Sequence, residues 1–160
     1  MVTSTLNTQT TKVWVYQAPR KLETGELQTV KSKLTDFVDS WSSHGAVVNG
    51  CFEINHDQFI VVMADEASAG VSGCSIDGSV RVIKELESDL GLSLLDKSVV
   101  AFQIGSEIVT MDFREIPKAV SSGEITAETL FFDNSINTLE QFQQHWKVPA
   151  KDSWVARYFN

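Results

Sequence analysis

At 160 residues the chain is near the size of one ordinary domain, long enough to bury a core without disulfides or a metal. Its 13 Lys and Arg face 21 Asp and Glu, a net charge of -8 at pH 7, so phosphate backbones and anionic membranes repel it. That charge disfavours a nucleic-acid role, and the longest apolar run, Phe59-Ile-Val-Val-Met-Ala64, is far short of the roughly 20 residues that cross a bilayer, which excludes a membrane span.

Residues 1–11 are Thr-rich and uncharged, with neither the basic nor the apolar stretch of a signal peptide, and read as a disordered tail before a single α+β domain over residues 12–160. The run Lys12-Val-Trp-Val-Tyr-Gln17 is aromatic and β-branched and ends at Ala18-Pro19, as a first strand does. From Glu26 the apolar positions Leu27, Val30, Leu34, Phe37, Val38 and Trp41 line one helix face, and Gly45 suits the position just past the helix end. Two strands follow at 46–54 and 58–64, joined by the tight turn at Asn55-His56-Asp57, and the second is apolar throughout, hence central.

A loop over residues 65–76 leads to a helix over 77–90 with Val80, Ile83, Leu86 and Leu90 inward, closed by Gly91. Strands at 99–104 and 107–111 flank Gly105-Ser106, a pair suited to a type II′ hairpin turn. Beyond Asp112 the pattern predicts a helix at 116–121, a strand at 130–133, a helix opened by Thr138-x-x-Gln141 and ending near Trp146, and a last turn capped by Asp152. The order β-α-β-β-α-β-β predicts a split-βαβ, ferredoxin-like antiparallel sheet with helices on one face, extended by a hairpin strand and a C-terminal helical segment.

In that topology the first helix and the third strand end at one sheet edge, which gathers His44, Asp65, Glu66 and the loop around Cys74. The loop carries glycines at 70, 73 and 78 and delivers Gly73, Ser75 and Asp77 to a helix start, with Arg81 one turn on. Free N–H groups and the helix dipole there favour an anion or a thiolate. Two readings share these residues. In one, Gly73, Ser75, Asp77 and Arg81 bind a small anionic ligand or border a protein partner. In the other, Cys74 is the nucleophile of a hydrolase or transferase with His44 as its base, opposed by the negative charge of Asp77. The plain alternative makes Cys74 a small buried residue and Ser75 or Asp77 a helix cap.

Gly73-x-x-x-x-Gly78-Ser79 has the glycine spacing of a Walker A loop, but Ser79 stands where the lysine belongs and Val80 where a magnesium-binding hydroxyl belongs. Six residues separate Cys74 from Arg81, one more than a cysteine-phosphatase loop has, and Arg81 is expected to pair with Asp77 or Glu85 on its own helix. Cys51 reads as an inert sheet residue facing away from Val48, Phe52 and Ile54. His56 reads as solvated at a hairpin tip, and His145 as the end of a short helix. Trp146 and Trp154 either tie the C-terminus to the body or form a docking patch, the latter suiting an assembly subunit. Two cysteines without a C-x-x-C and three scattered histidines give no zinc spacing, so neither a metal nor a cofactor is expected, and a reducing, cytoplasmic compartment is.

The segments Trp14-Val-Tyr-Gln17, Ser43-His-Gly45, Ser72-Gly-Cys-Ser-Ile-Asp77 with Ser79-Val-Arg81, and Val148-Pro-Ala-Lys-Asp-Ser-Trp154 together resemble a family of small bacterial proteins, known from Bacteroidetes-type genomes and often labelled "ABC transporter ATPase". The resemblance spans nearly the whole chain. It implies a bacterial cytoplasmic protein and brings no activity with it, since the Walker lysine the label requires is missing.

Overall fold

The computed structural model describes residues 6–43, 46–47, 49–65 and 73–159, with the backbone alone at 42–43, 46–47 and 73–77. It is an α+β chain of antiparallel sheets and helices. Its backbone divides into two compact units. Met1–Leu95 with Asn137–Glu140 form unit 1, and Asp96–Ile136 with Gln141–Asn160 form unit 2.

Unit 1 opens with β1 (Thr11–Gln17) and α1 (Thr24–Ser40), followed by β2 (Ser42–Ser43), β3 (Ala46–Val47), β4 (Asn49–Asn55), β5 (Phe59–Asp65) and α2 (Gly73–Leu90). β2 pairs with β3, and the main sheet has the antiparallel order β1-β5-β4. That is the order of the first three strands of a split-βαβ sheet. The fourth strand of that arrangement is not beside β1, where the described neighbour is a single bridge from Lys12 to Thr138. All seven residues of β5 are buried, as its central place requires. The even-numbered side chains Tyr16, Ile60, Val62 and Ala64 pack against Val30 and Leu34 of α1 and Ile83 and Leu86 of α2. Each large apolar side chain removed from water there contributes on the order of 1.5–3 kcal/mol.

Local chemistry sets the element ends. Glu23 caps α1, and its backbone N–H donates to the Glu26 carboxylate at 2.8 Å, completing a capping box. At the β4–β5 turn Gln58 N–H donates to the Asn55 carbonyl at 3.0 Å while His56 and Asp57 both take positive φ, the geometry of a type I′ turn. Gly91, at φ +67, ends α2 as expected. Residues 6–11, within the expected tail, are tied down: Thr11 N–H donates to the Asn7 carbonyl, Glu140 N–H to the Thr8 carbonyl, and the Thr10 hydroxyl to Asp65 at 2.7 Å.

Unit 2 contains β6 (Val99–Ile104), β7 (Glu107–Asp112), α3 (Ile116–Ser121), β8 (Leu130–Phe132) and β9 (Lys147–Pro149), with sheet order β7-β6-β8-β9. α4 (Leu139–His145) begins in unit 1 and ends in unit 2. Gly105 at φ +64 with Ser106 outside the left-handed region makes the expected II′ turn. Phe102, Ile116, Ile125, Phe131, Ala150 and Val155 form the core, with Trp154, Tyr158 and Phe159 packed on it. The last turns are 3-10 helices, Ala150–Asp152 and Trp154–Phe159. The cap expected at Asp152 is supplied by Ser153, whose Oγ accepts from Val155 N–H at 3.1 Å.

Candidate functional site

α2 begins at Gly73, four residues ahead of the expected start. Ile76 stands four residues before Val80, so the apolar helical spacing extends back through a stretch whose glycines and serines read as a loop. Cys74, Ser75 and Asp77 therefore belong to the first turns of α2 by their backbone, and their side chains lie outside the described residues, as does His44 altogether. Glu66 is likewise outside. Arg81 is exposed on α2, and Glu85, one of its expected partners, lies 4.0 Å from Lys33 of α1, which itself pairs with Asp89 at 2.9 Å.

Around these positions unit 1 builds a close-packed aromatic wall. Phe37 and Trp41 rings lie 4.8 Å apart and Trp14 and Trp41 6.4 Å apart. One glycine, Gly50, lets the backbone approach it, whereas Gly78 stands at ordinary contact distance. A Cβ at Gly50 would stand 2.5 Å from the Trp41 ring, and one at Gly78 would meet Phe37 at 3.8 Å. Phe37 near the end of α1 thus faces the early turns of α2, and β2 runs alongside α2.

Ser79 is 1% exposed and hydrogen-bonds the Tyr16 hydroxyl. Burial raises the Tyr16 pKa, and the Ser79 bond partly offsets the rise. The Walker-like spacing is consequently a helix whose Ser79 turns into the core, not a loop able to wrap phosphates. The pairing of Tyr16 with Ser79 was not legible from either residue alone. It follows only from the sheet order.

Cys51 is a half-buried free thiol on β4, on the face opposite Phe52 and Ile54. Burial and the neighbouring Glu53 charge push its pKa up to about 11. At neutral pH it is held as the protonated thiol, which suits a structural sheet residue. His56 is exposed, with its ring edge-on to Phe59 at 6.2 Å. Trp146 is buried between Phe132 and Phe142 and donates its indole N–H to Asn134 at 2.8 Å, while Trp154 meets Phe131 edge-to-face at 5.5 Å. Both tryptophans tie the C-terminal segment to unit 2.

Among the described residues no group of three or more His, Cys, Asp or Glu is placed to hold a metal ion, and no helix is long and apolar enough to cross a membrane. Among the described residues, unit 2 holds a surface cavity of about 350 Å³ between the β6–β7 turn and β8 and another of about 280 Å³ between β7 and α3. Arg81 lines neither. No family model matches the chain, and neither a curated protein nor a solved structure is similar to it.

Proposed function

We propose that the chain is a small-ligand or protein-binding module whose working edge lies where α1 ends and α2 begins, the edge that carries His44 and Cys74. The supporting observation is the course of the backbone: β2, which leads into His44, runs alongside α2, whose first turn carries Gly73, Cys74 and Ser75. An 18-residue helix directs its first N–H groups and positive dipole end there, with exposed Arg81 two turns on, a combination that suits a small anion. Titration with inorganic phosphate, followed amide by amide by NMR, should move residues 42–47 and 73–79 first, and Arg81→Ala should weaken the effect. Shifts confined to unit 2, or none at all, would remove the proposal.

The thiol-dependent reading, Cys74 as nucleophile and His44 as base, rests on a second observation. With Cys51 pushed up to about 11, thiolate chemistry near neutral pH falls to Cys74 in the first turn of α2. Iodoacetamide at pH 7 should then label Cys74 faster than Cys51, and equal, slow labelling would leave the reading without support. The bacterial, cytoplasmic setting belongs to the same proposal. The ATPase label does not: magnesium-dependent ATP hydrolysis is not expected from a helical Gly73–Gly78 stretch followed by a buried serine.

A further inference from the structure

Unit 2 has two sheet edges, and they are built differently. β9 is three residues long and carries Lys147 and Pro149, both devices that discourage further pairing. β7 is six residues long, pairs with β6 in unbroken register, and reads Glu107-Ile-Val-Thr-Met-Asp112, without proline, lysine or bulge. Phe113 N–H donates to the Ser98 carbonyl at 2.8 Å, so by strand alternation Phe113, Met111 and Val109 turn their backbone groups toward β6, and Ile108 and Asp112 turn theirs away. Beside this edge lies the cavity of about 280 Å³, lined by Val109 and Met111 of β7, by Glu115, Lys118 and Ala119 around α3, and by Glu124. Phe113, 39% exposed, stands at the end of the strand.

The geometry points to strand addition: we infer that the groove between β7 and α3 takes an extended peptide segment of a partner protein that carries basic side chains. A volume of about 280 Å³ falls just below the roughly 300–1,000 Å³ of small-molecule pockets and suits one or two side chains of an added strand. Val109, Met111 and Ala119 in its lining offer packing for an apolar side chain. Charge selects the partner. Glu115 and Glu124 outnumber Lys118 in the lining, Glu107 stands at the open end, and Asp112 is already held by Arg114 through two bonds of 2.8 Å. A second copy would bring the same carboxylates face to face, whereas lysine or arginine two residues from the apolar anchor projects from the same strand face toward them.

The test uses the full chain and two synthetic peptides of about eight residues, one Lys-Thr-Val-Thr-Lys-Thr-Val-Thr, which sets lysine and valine on one strand face, the other with glutamate in place of lysine. The basic peptide should bind, shift the amides of residues 107–124, slow hydrogen exchange at Ile108 and Asp112, and weaken with added salt. Glu115→Lys with Glu124→Lys, both exposed positions, should weaken it at least about tenfold. Ile108→Pro removes an outward N–H without touching the bonds to β6 and should abolish binding. If that variant fails to fold, the charge reversal decides. Equal binding of both peptides, or unchanged affinity after charge reversal, overturns the inference. So does a dimer of the chain alone, seen by sedimentation, that Ile108→Pro dissolves.

Discussion

Gly50 lies against the indole of Trp41, so close that a Cβ added at position 50 would stand 2.5 Å from Cε3, with the Met63 carbonyl 3.2 Å away on another side. Trp41 is 4% exposed and held by Phe37 and Trp14, so it has little room to retreat. Gly50→Ala should therefore destabilise unit 1 by about 1–3 kcal/mol, the usual cost of overpacking. Thermal melts of the two proteins check this. Equal melting temperatures would mean that the wall yields freely.

The alkaline limb of stability should have two parts. Cys51 is raised from an ordinary 9.0 to about 11, and Tyr16 is raised above 10.0, each chiefly by burial. A folded-state pKa above the unfolded one means that the native protein holds the proton longer. The stabilisation is complete below the unfolded pKa and is lost as pH rises through the folded one. The Cys51 part should fade between pH 9 and about 11, and the Tyr16 part should begin to fade above pH 10. Cys51→Ala should erase the first and Tyr16→Phe the second in melts taken from about pH 8 upward. Ser79→Ala should move the Tyr16 titration higher still, because the lost hydrogen bond had lowered it.

On the acid side Glu26 is the group to watch. Arg20 holds its carboxylate through bonds of 2.8 and 3.1 Å, the Glu23 N–H adds a third, and its pKa falls from 4.5 to about 2. Here the native state releases the proton more readily, so the contribution is present above pH 4.5 and disappears as pH falls toward about 2. Glu26→Gln should melt below the parent at neutral pH, and the difference should close in acid. A gap of constant size across that range would assign the loss to helix propensity instead.

Much of the fold was legible because its signals are local. The spacing of Leu27, Val30 and Leu34 marks a helix face, positive φ at His56, Asp57 and Gly105 follows from turn chemistry, and the unbroken apolar run of β5 marks a central strand. What escaped is non-local. The Gly105-Ser106 turn ties residues 99–104 to β7, but nothing in them says whether the strand's other side pairs with β1 or with β8, since the same alternation serves either sheet, and no Pro- or Gly-rich linker marks the change of unit at Leu95. The start of α2 was hidden because Gly73 and Gly78 lower helix propensity. Gly78 nonetheless lies within the helix, where an added Cβ would meet Phe37 at an ordinary 3.8 Å. For the candidate site, the sequence drew attention to His44 and Cys74, while the groove beside β7 depends on which strand falls at a sheet edge, and that is decided by pairing alone.

Removing residues 150–160 should lower the melting temperature markedly. Ala150 and Val155 are fully buried, Trp154 stands edge-on to Phe131, and Tyr158 and Phe159 pack on the same core. The backbone is bound in as well: Ala150 N–H donates to the Thr129 carbonyl at 2.8 Å and Lys151 N–H to that of Ala127 at 3.0 Å. Each large apolar side chain contributes roughly 1.5–3 kcal/mol, against a total of about 5–15 kcal/mol for a protein of ordinary stability. The truncation also bares Phe131 and Ile116, so the loss falls on the remaining core as well as on the removed segment. Calorimetry and gel filtration of the truncated chain together decide the matter. A lower melting temperature at unchanged elution is the expected result. An unchanged melt with elution as a smaller species would instead assign the segment to contacts between chains.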